Sequence, residues 1–146
     1  MRTPYTRMYL HLVWATWDRL PLLTPDLEGQ VYAALSEKCR HFQCVPLSLG
    51  GVSDHVHLLL RVHPTVAVAT LVKELKGSTS HLITHAIVPG RVFRWQGAYG
   101  AFTVGSDGIP ALCAYIASQK DHHAYGRVMP EWEITAIEDA ADGPGD

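Results

Sequence analysis

Residues 7–17, RMYLHLVWATW, form a run of aromatic and branched side chains that predicts a strand near the middle of a sheet. Thr24-Pro25-Asp26 then offers a helix cap followed by proline at the first helical position. Leu27, Val31, Ala34, Leu35 and Phe42 recur at helical spacing, so a helix is expected over 25–42. Two apolar runs, 45–52 and 55–62, flank Ser53-Asp54 and predict a hairpin. Val68, Leu71, Val72, Leu75, Leu82 and Ile83 outline a second amphipathic helix over about 66–86, which Lys76-Gly77-Ser78-Thr79-Ser80 is expected to loosen or break. Residues 92–104 begin as a loop and end as a strand. Ser106-Asp107, Pro110, Leu112, Tyr115, Ile116 and Gln119 then describe a last, continuous helix. This order predicts an α+β fold: a ferredoxin-like βαββαβ antiparallel sheet with helices on one face and an added C-terminal helix.

Composition narrows the class. With 146 residues, 47% hydrophobic and 18% charged, the chain has room for one core, expected over 1–130, followed by an acidic tail at 131–146. Polar residues interrupt every apolar stretch before the roughly eighteen residues that span a bilayer, and no signal-like block opens the chain, so no membrane partner and a cytoplasmic location are expected. Cys39, Cys44 and Cys113 form no C-x-x-C pair and read as small buried residues. The net charge of −2 hides an asymmetry: all twelve basic residues lie in 1–130 against eight acids, leaving +4 there. That excess permits a nucleic-acid partner. The final residues, 140–146, read as a frayed end.

The candidate chemistry lies in two short strings. In a strand, His55 and His57 point the same way with Cα atoms roughly 6–7 Å apart, which suits two imidazoles on one metal ion. In a helix, Tyr115 and Gln119 stand one turn apart on one face, so a nucleophile and an amide oxygen could converge on that ion. Spacing alone favours plainer roles, since an isolated H-x-H is more often a core or surface pair and a lone tyrosine a packed aromatic. Leu59 and Leu60 stand where a binuclear hydrolase would want Asp and His. His122 and His123 either extend the Gln119 face or sit exposed near a helix end. Lys73, Lys76, Arg91, Arg94 and Arg127 could pair with phosphates, and Trp95 and Tyr99 could stack on bases, although each cation taken singly suits a solvated surface. There is no phosphate-cradling glycine loop, so no nucleotide is expected.

Taken together, HLVWATW at 11–17, GGVSDHVHLLL at 50–60, LVKELKGSTS at 71–80, FRWQGAYGAFTV at 93–104 and AYIASQKDHH at 114–123 resemble the IS200/IS605-like single-tyrosine (Y1) transposases of the HUH endonuclease superfamily. The resemblance spans most of residues 5–125. It implies that His55 and His57 are the paired histidines, Tyr115 the nucleophile on a catalytic helix, and Gln119 the third ligand of Mg²⁺ or Mn²⁺. It implies cleavage and rejoining of single-stranded DNA with hairpin ends through a 5′-phosphotyrosine, without ATP, by a homodimer in which the tyrosine helix serves either subunit. Lys73, Lys76, Arg94 and Trp95 are the candidate DNA contacts. Ser118 stands where many relatives have Asn, and the acidic tail is expected to leave the ligands untouched. Two other classes stay open: a domesticated hairpin-DNA-binding protein of the same fold without transposition, and a metallohydrolase of small phosphoesters.

Overall fold

Alternation along the third strand organises the molecule. A computed structural model describes residues 2–124, 126 and 129–136. Its elements run β1 (Tyr9–Ala15), α1 (Pro25–His41), β2 (Val45–Val52), β3 (His55–Arg61), α2 (Val68–Leu82), β4 (Gly100–Val104), α3 (Ile109–Ala117) and α4 (Gln119–Ala124). The four strands form one antiparallel sheet in the order β2-β3-β1-β4, the ferredoxin-like arrangement. Val56, Leu58 and Leu60 point to one face of β3 and join Leu12 and Trp14 of β1 in the main core. There they meet Leu27, Val31 and Leu35 of α1 and Leu71 and Leu75 of α2. The intervening residues of β3 face the other way, where Leu59 packs with Leu112, Tyr115 and Ile116 of α3. Thus α1 and α2 cover one face of the sheet and the C-terminal helices the other. Among the described residues, no helix is long and apolar enough to cross a membrane.

Several local expectations change. The polar stretch 76–80 neither loosens nor breaks α2. Thr79 Oγ1 donates to the Leu75 carbonyl at 2.8 Å and Ser80 Oγ to that of Gly77 at 3.2 Å, so these hydroxyls are satisfied within the helix. A single π-type turn, Ile83–Ile87, extends α2. The last helix is not continuous: Ser118 leaves helical geometry at φ −105°, ψ 25°, separating α3 from α4. The acidic stretch does not part from the domain at 130 either. Trp132 packs on Tyr115 with ring centroids 4.9 Å apart, Thr135 is buried, and Glu133 reaches the histidine pair. The frayed end at 140–146 lies outside the described residues.

Glycine permits two close approaches on the second face. A Cβ on Gly50 of β2 would stand 2.2 Å from the Ile116 carbonyl oxygen, and one on Gly100 of β4 would stand 1.9 Å from that of Ile134. The first lets α3 lie against the sheet. The second does the same for the segment 129–136.

Candidate active site

His55 and His57 sit on the face of β3 that meets α3, 2% and 0% exposed. Each ring is held by its Nδ1. His55 Nδ1 donates to Asp54 Oδ1 at 2.7 Å, and Asp54 lies 3.9 Å from Arg19. His57 Nδ1 lies 2.8 Å from Nε2 of His11, which comes from β1 and stacks against it with ring centroids 5.1 Å apart. Burial, with the neighbouring His57, drives His11 down to about pKa 4, so His11 is neutral and a single proton is shared between its Nε2 and His57 Nδ1. These anchors turn the remaining nitrogen of each ring, Nε2, toward one point.

α3, α4 and the following segment bring their groups to that same point. Tyr115 is 4% exposed, with its ring perpendicular to that of His57 at 6.0 Å between centroids, and its hydroxyl accepts the Met129 N–H at 2.9 Å. Gln119 is buried. Its Nε2 donates to the Tyr115 carbonyl at 3.2 Å, while its Oε1 lies 3.1 Å from His123 Nε2. The break at Ser118 therefore does not separate Tyr115 from Gln119, and one turn of α4 adds His123. Nothing is described of the His122 side chain. Glu133 completes the cluster, with Oε2 2.8 Å from His57 Nε2, and Oε1 3.2 Å from His55 Nε2 and 2.8 Å from His123 Nε2.

Electrostatics follows from this crowding. Burial opposes charge on His55, but the adjacent carboxylates of Glu133 and Asp54 outweigh it and raise the pKa. For His57 burial wins over Glu133, and the pKa falls. Burial would raise Glu133, yet the facing imidazoles of His55 and His57 hold its carboxyl well below the usual range. Burial raises the Tyr115 phenol, partly countered by the Met129 N–H. Metal ligation fits these residues. His55, His57, His123 and Glu133 each offer one ligand atom within 4.8 Å of the others. His55 Nε2, His57 Nε2 and Glu133 Oε2 are buried without an aligned hydrogen bond, the condition that a shared cation relieves.

The proposed DNA contacts fare unequally. Trp95 is 6% exposed, wedged edge-on against Trp14 and Phe93 with its Nε1 donating to Thr79 Oγ1 at 3.0 Å, so it has no ring face to offer a base. A tryptophan among arginine and glycine reads equally well as a stacking platform or a loop anchor, and here it anchors. Lys76 is likewise committed, donating to the Gln96 and Ala98 carbonyls at 2.8 Å each. Lys73 is exposed on α2, across the sheet from the histidines. Arg94 is exposed and lies over Trp17, its guanidinium 4.1 Å from the ring centroid. Sequence reasoning missed His11, whose signal was a polar residue alternating with apolar ones in a central strand. It also missed Asp54 as the anchor of His55, and Glu133, which composition had placed in the acidic tail.

The sequence matches the family described as "Transposase IS200 like" over residues 4–119. The ISDra2 transposase TnpA of Deinococcus radiodurans is 27% identical over 116 residues, covering 76% of this chain and 83% of that protein. A crystal structure from Deinococcus radiodurans described as a transposase superposes with a TM-score of 0.64 at 25% identity, covering 82% of this chain and 95% of the other. A REP-associated tyrosine transposase, solved bound to a REP hairpin, shares the fold with a TM-score of 0.62 at 15% identity over 88% of this chain and 74% of its own. With a central histidine pair facing a helix-borne tyrosine, and a family match over most of its length, the chain belongs to the IS200-like transposase family.

Proposed function

We propose that this transposase cuts and rejoins single-stranded DNA with Tyr115 as nucleophile, aided by Mg²⁺ or Mn²⁺ held by His55, His57 and Gln119. The observation that carries the reading is the perpendicular packing of Tyr115 on His57, 6.0 Å between centroids, beside two buried Nε2 atoms that lack aligned hydrogen-bond partners. Tyr115 Oη attacks phosphorus in line with the departing 3′ oxygen. The bond formed joins the tyrosine to the 5′ phosphate, and the bond broken frees a 3′ hydroxyl. A 3′ hydroxyl from another end attacks the phosphotyrosine in the reverse sense and reseals the strand, so the bond energy is retained and no nucleotide is consumed. The bound cation supplies Lewis-acid polarisation of a non-bridging oxygen and stabilises the phenolate. The Met129 N–H, 2.9 Å from Tyr115 Oη, favours that phenolate as well. Asp54 and His11 hold the histidine rings so that Nε2 stays available.

The DNA is read as a single strand with hairpin ends, a hairpin being the ligand named for the REP-associated relative, and the working unit is proposed to be a homodimer. Incubation with hairpin DNA and Mn²⁺ is expected to yield a covalent adduct on a denaturing gel. Tyr115→Phe should abolish that adduct while hairpin binding persists. An adduct undiminished in the variant would refute the assignment, and hairpin binding without any adduct in the wild type would favour a domesticated binder.

A further inference from the structure

The segment after α4 carries a carboxylate that the HUH pair and Gln119 do not account for. We propose that Glu133 is itself a ligand of the metal in the DNA-free protein, delivered by residues 129–136; this rests on the reading of His55 and His57 as metal ligands. Three lines of geometry carry it.

First, both rings are anchored through Nδ1, which turns each Nε2 toward Glu133. His57 Nε2 faces Glu133 Oε2 at 2.8 Å, a contact made favourable by a proton or a metal cation between them. Neither atom makes an aligned hydrogen bond, a state that a shared metal ion relieves.

Second, the spacing is that of ligands sharing an ion. Oxygen or nitrogen ligands about 2.1 Å from a small divalent cation, at right angles to one another, lie roughly 3 Å apart. The Glu133 contacts to His57, His55 and His123 measure 2.8, 3.2 and 2.8 Å. Two imidazoles and one carboxylate make a set suited to a first-row divalent ion with positions left for exchangeable ligands, and His123 stands next in reach.

Third, the approach of the segment is built into the sheet. Gly100 clears the path of the Ile134 carbonyl, where any Cβ would stand 1.9 Å away, and Trp132 seats the segment on Tyr115. Glu133 lies between these two attachments.

The test uses the full chain without DNA and Mn²⁺ as the probe, followed by electron paramagnetic resonance of free Mn²⁺, with circular dichroism to confirm folding of each variant. Wild type should bind Mn²⁺, and Glu133→Gln and Glu133→Ala should each weaken binding by about 10-fold or more. Gly100→Ala, which pushes the segment from the sheet, should weaken it in the same direction. His57→Ala should abolish binding. Unchanged or tighter binding in both Glu133 variants, with binding lost in His57→Ala, would overturn the ligand role and leave the histidine reading standing. Wild-type affinity in His57→Ala would overturn the histidine reading and this proposal with it.

Discussion

The two histidines and the tyrosine meet at one point, yet they are held there by different means. His55 and His57 belong to a strand hydrogen-bonded on both sides, by β2 and by β1, and each ring has its own buried anchor. Tyr115, Gln119, His123 and Glu133 come from two short helices broken at Ser118 and from a segment whose one regular turn is the 3₁₀ helix Pro130–Trp132, laid over the sheet where two glycines admit it. The strand half has its geometry fixed by backbone pairing, which is cooperative and central. The helical half depends on side-chain packing and a few hydrogen bonds, the kind of region that opens at lower free energy. A site assembled this way keeps the histidine pair rigid and places the proposed nucleophile on the part that is easier to move.

The largest effects should separate the halves outright. His57→Ala should lower adduct formation by roughly 10³-fold or more and Tyr115→Phe should abolish it, but only the former should lose Mn²⁺ affinity. Equal metal loss in both would mean that the halves act as one unit. Next is acid stability. His11 protonates near 6.5 when unfolded but resists until about pH 4 when buried, so between those values the unfolded chain binds more protons. Its contribution is therefore full above pH 6.5 and is lost as pH falls toward 4, by up to about 3 kcal/mol. Urea midpoints at pH 7, 5.5 and 4.5 should converge less steeply in His11→Phe than in wild type, and parallel slopes would show that His11 is not held neutral.

Gly50→Ala forces a methyl against the Ile116 carbonyl and should cost about 2 kcal/mol. Adduct yield should fall well beyond any change in Mn²⁺ binding, because α3 moves while β3 stays. A drop confined to metal affinity would contradict this placement. The smallest effect is expected from Asp54→Asn, which keeps the size but not the charge of the His55 anchor. It should weaken Mn²⁺ by about 10-fold in calorimetry and leave hairpin binding unchanged.

The same contrast explains what could be read in the sequence. His55 and His57 were legible because alternation in a strand is local: five consecutive residues suffice to place two side chains on one face. Tyr115 and Gln119 were legible as a pair one turn apart, though the break at Ser118 was not, since nothing in the local propensities marks it. Glu133 was invisible because its role depends on where a distant strand leaves room, at Gly100, and composition alone placed it in the acidic tail. Trp95 failed for a related reason. An aromatic beside arginine and glycine looks like a base-stacking loop until the buried Thr79 hydroxyl that receives its N–H is known. Long-range approach decided both residues, and no short window of sequence contains it.

The alternation along β3 has a further consequence for how the protein guards itself against misassembly. A slip of one residue in its pairing would carry both histidines into the layer beneath α1 and α2 and turn Val56, Leu58 and Leu60 out of it toward the C-terminal helices. The core and the candidate metal site are thus written in the same register. A chain that buries its apolar residues correctly has no choice but to present the histidines, so mispaired molecules are both unstable and unable to cut DNA.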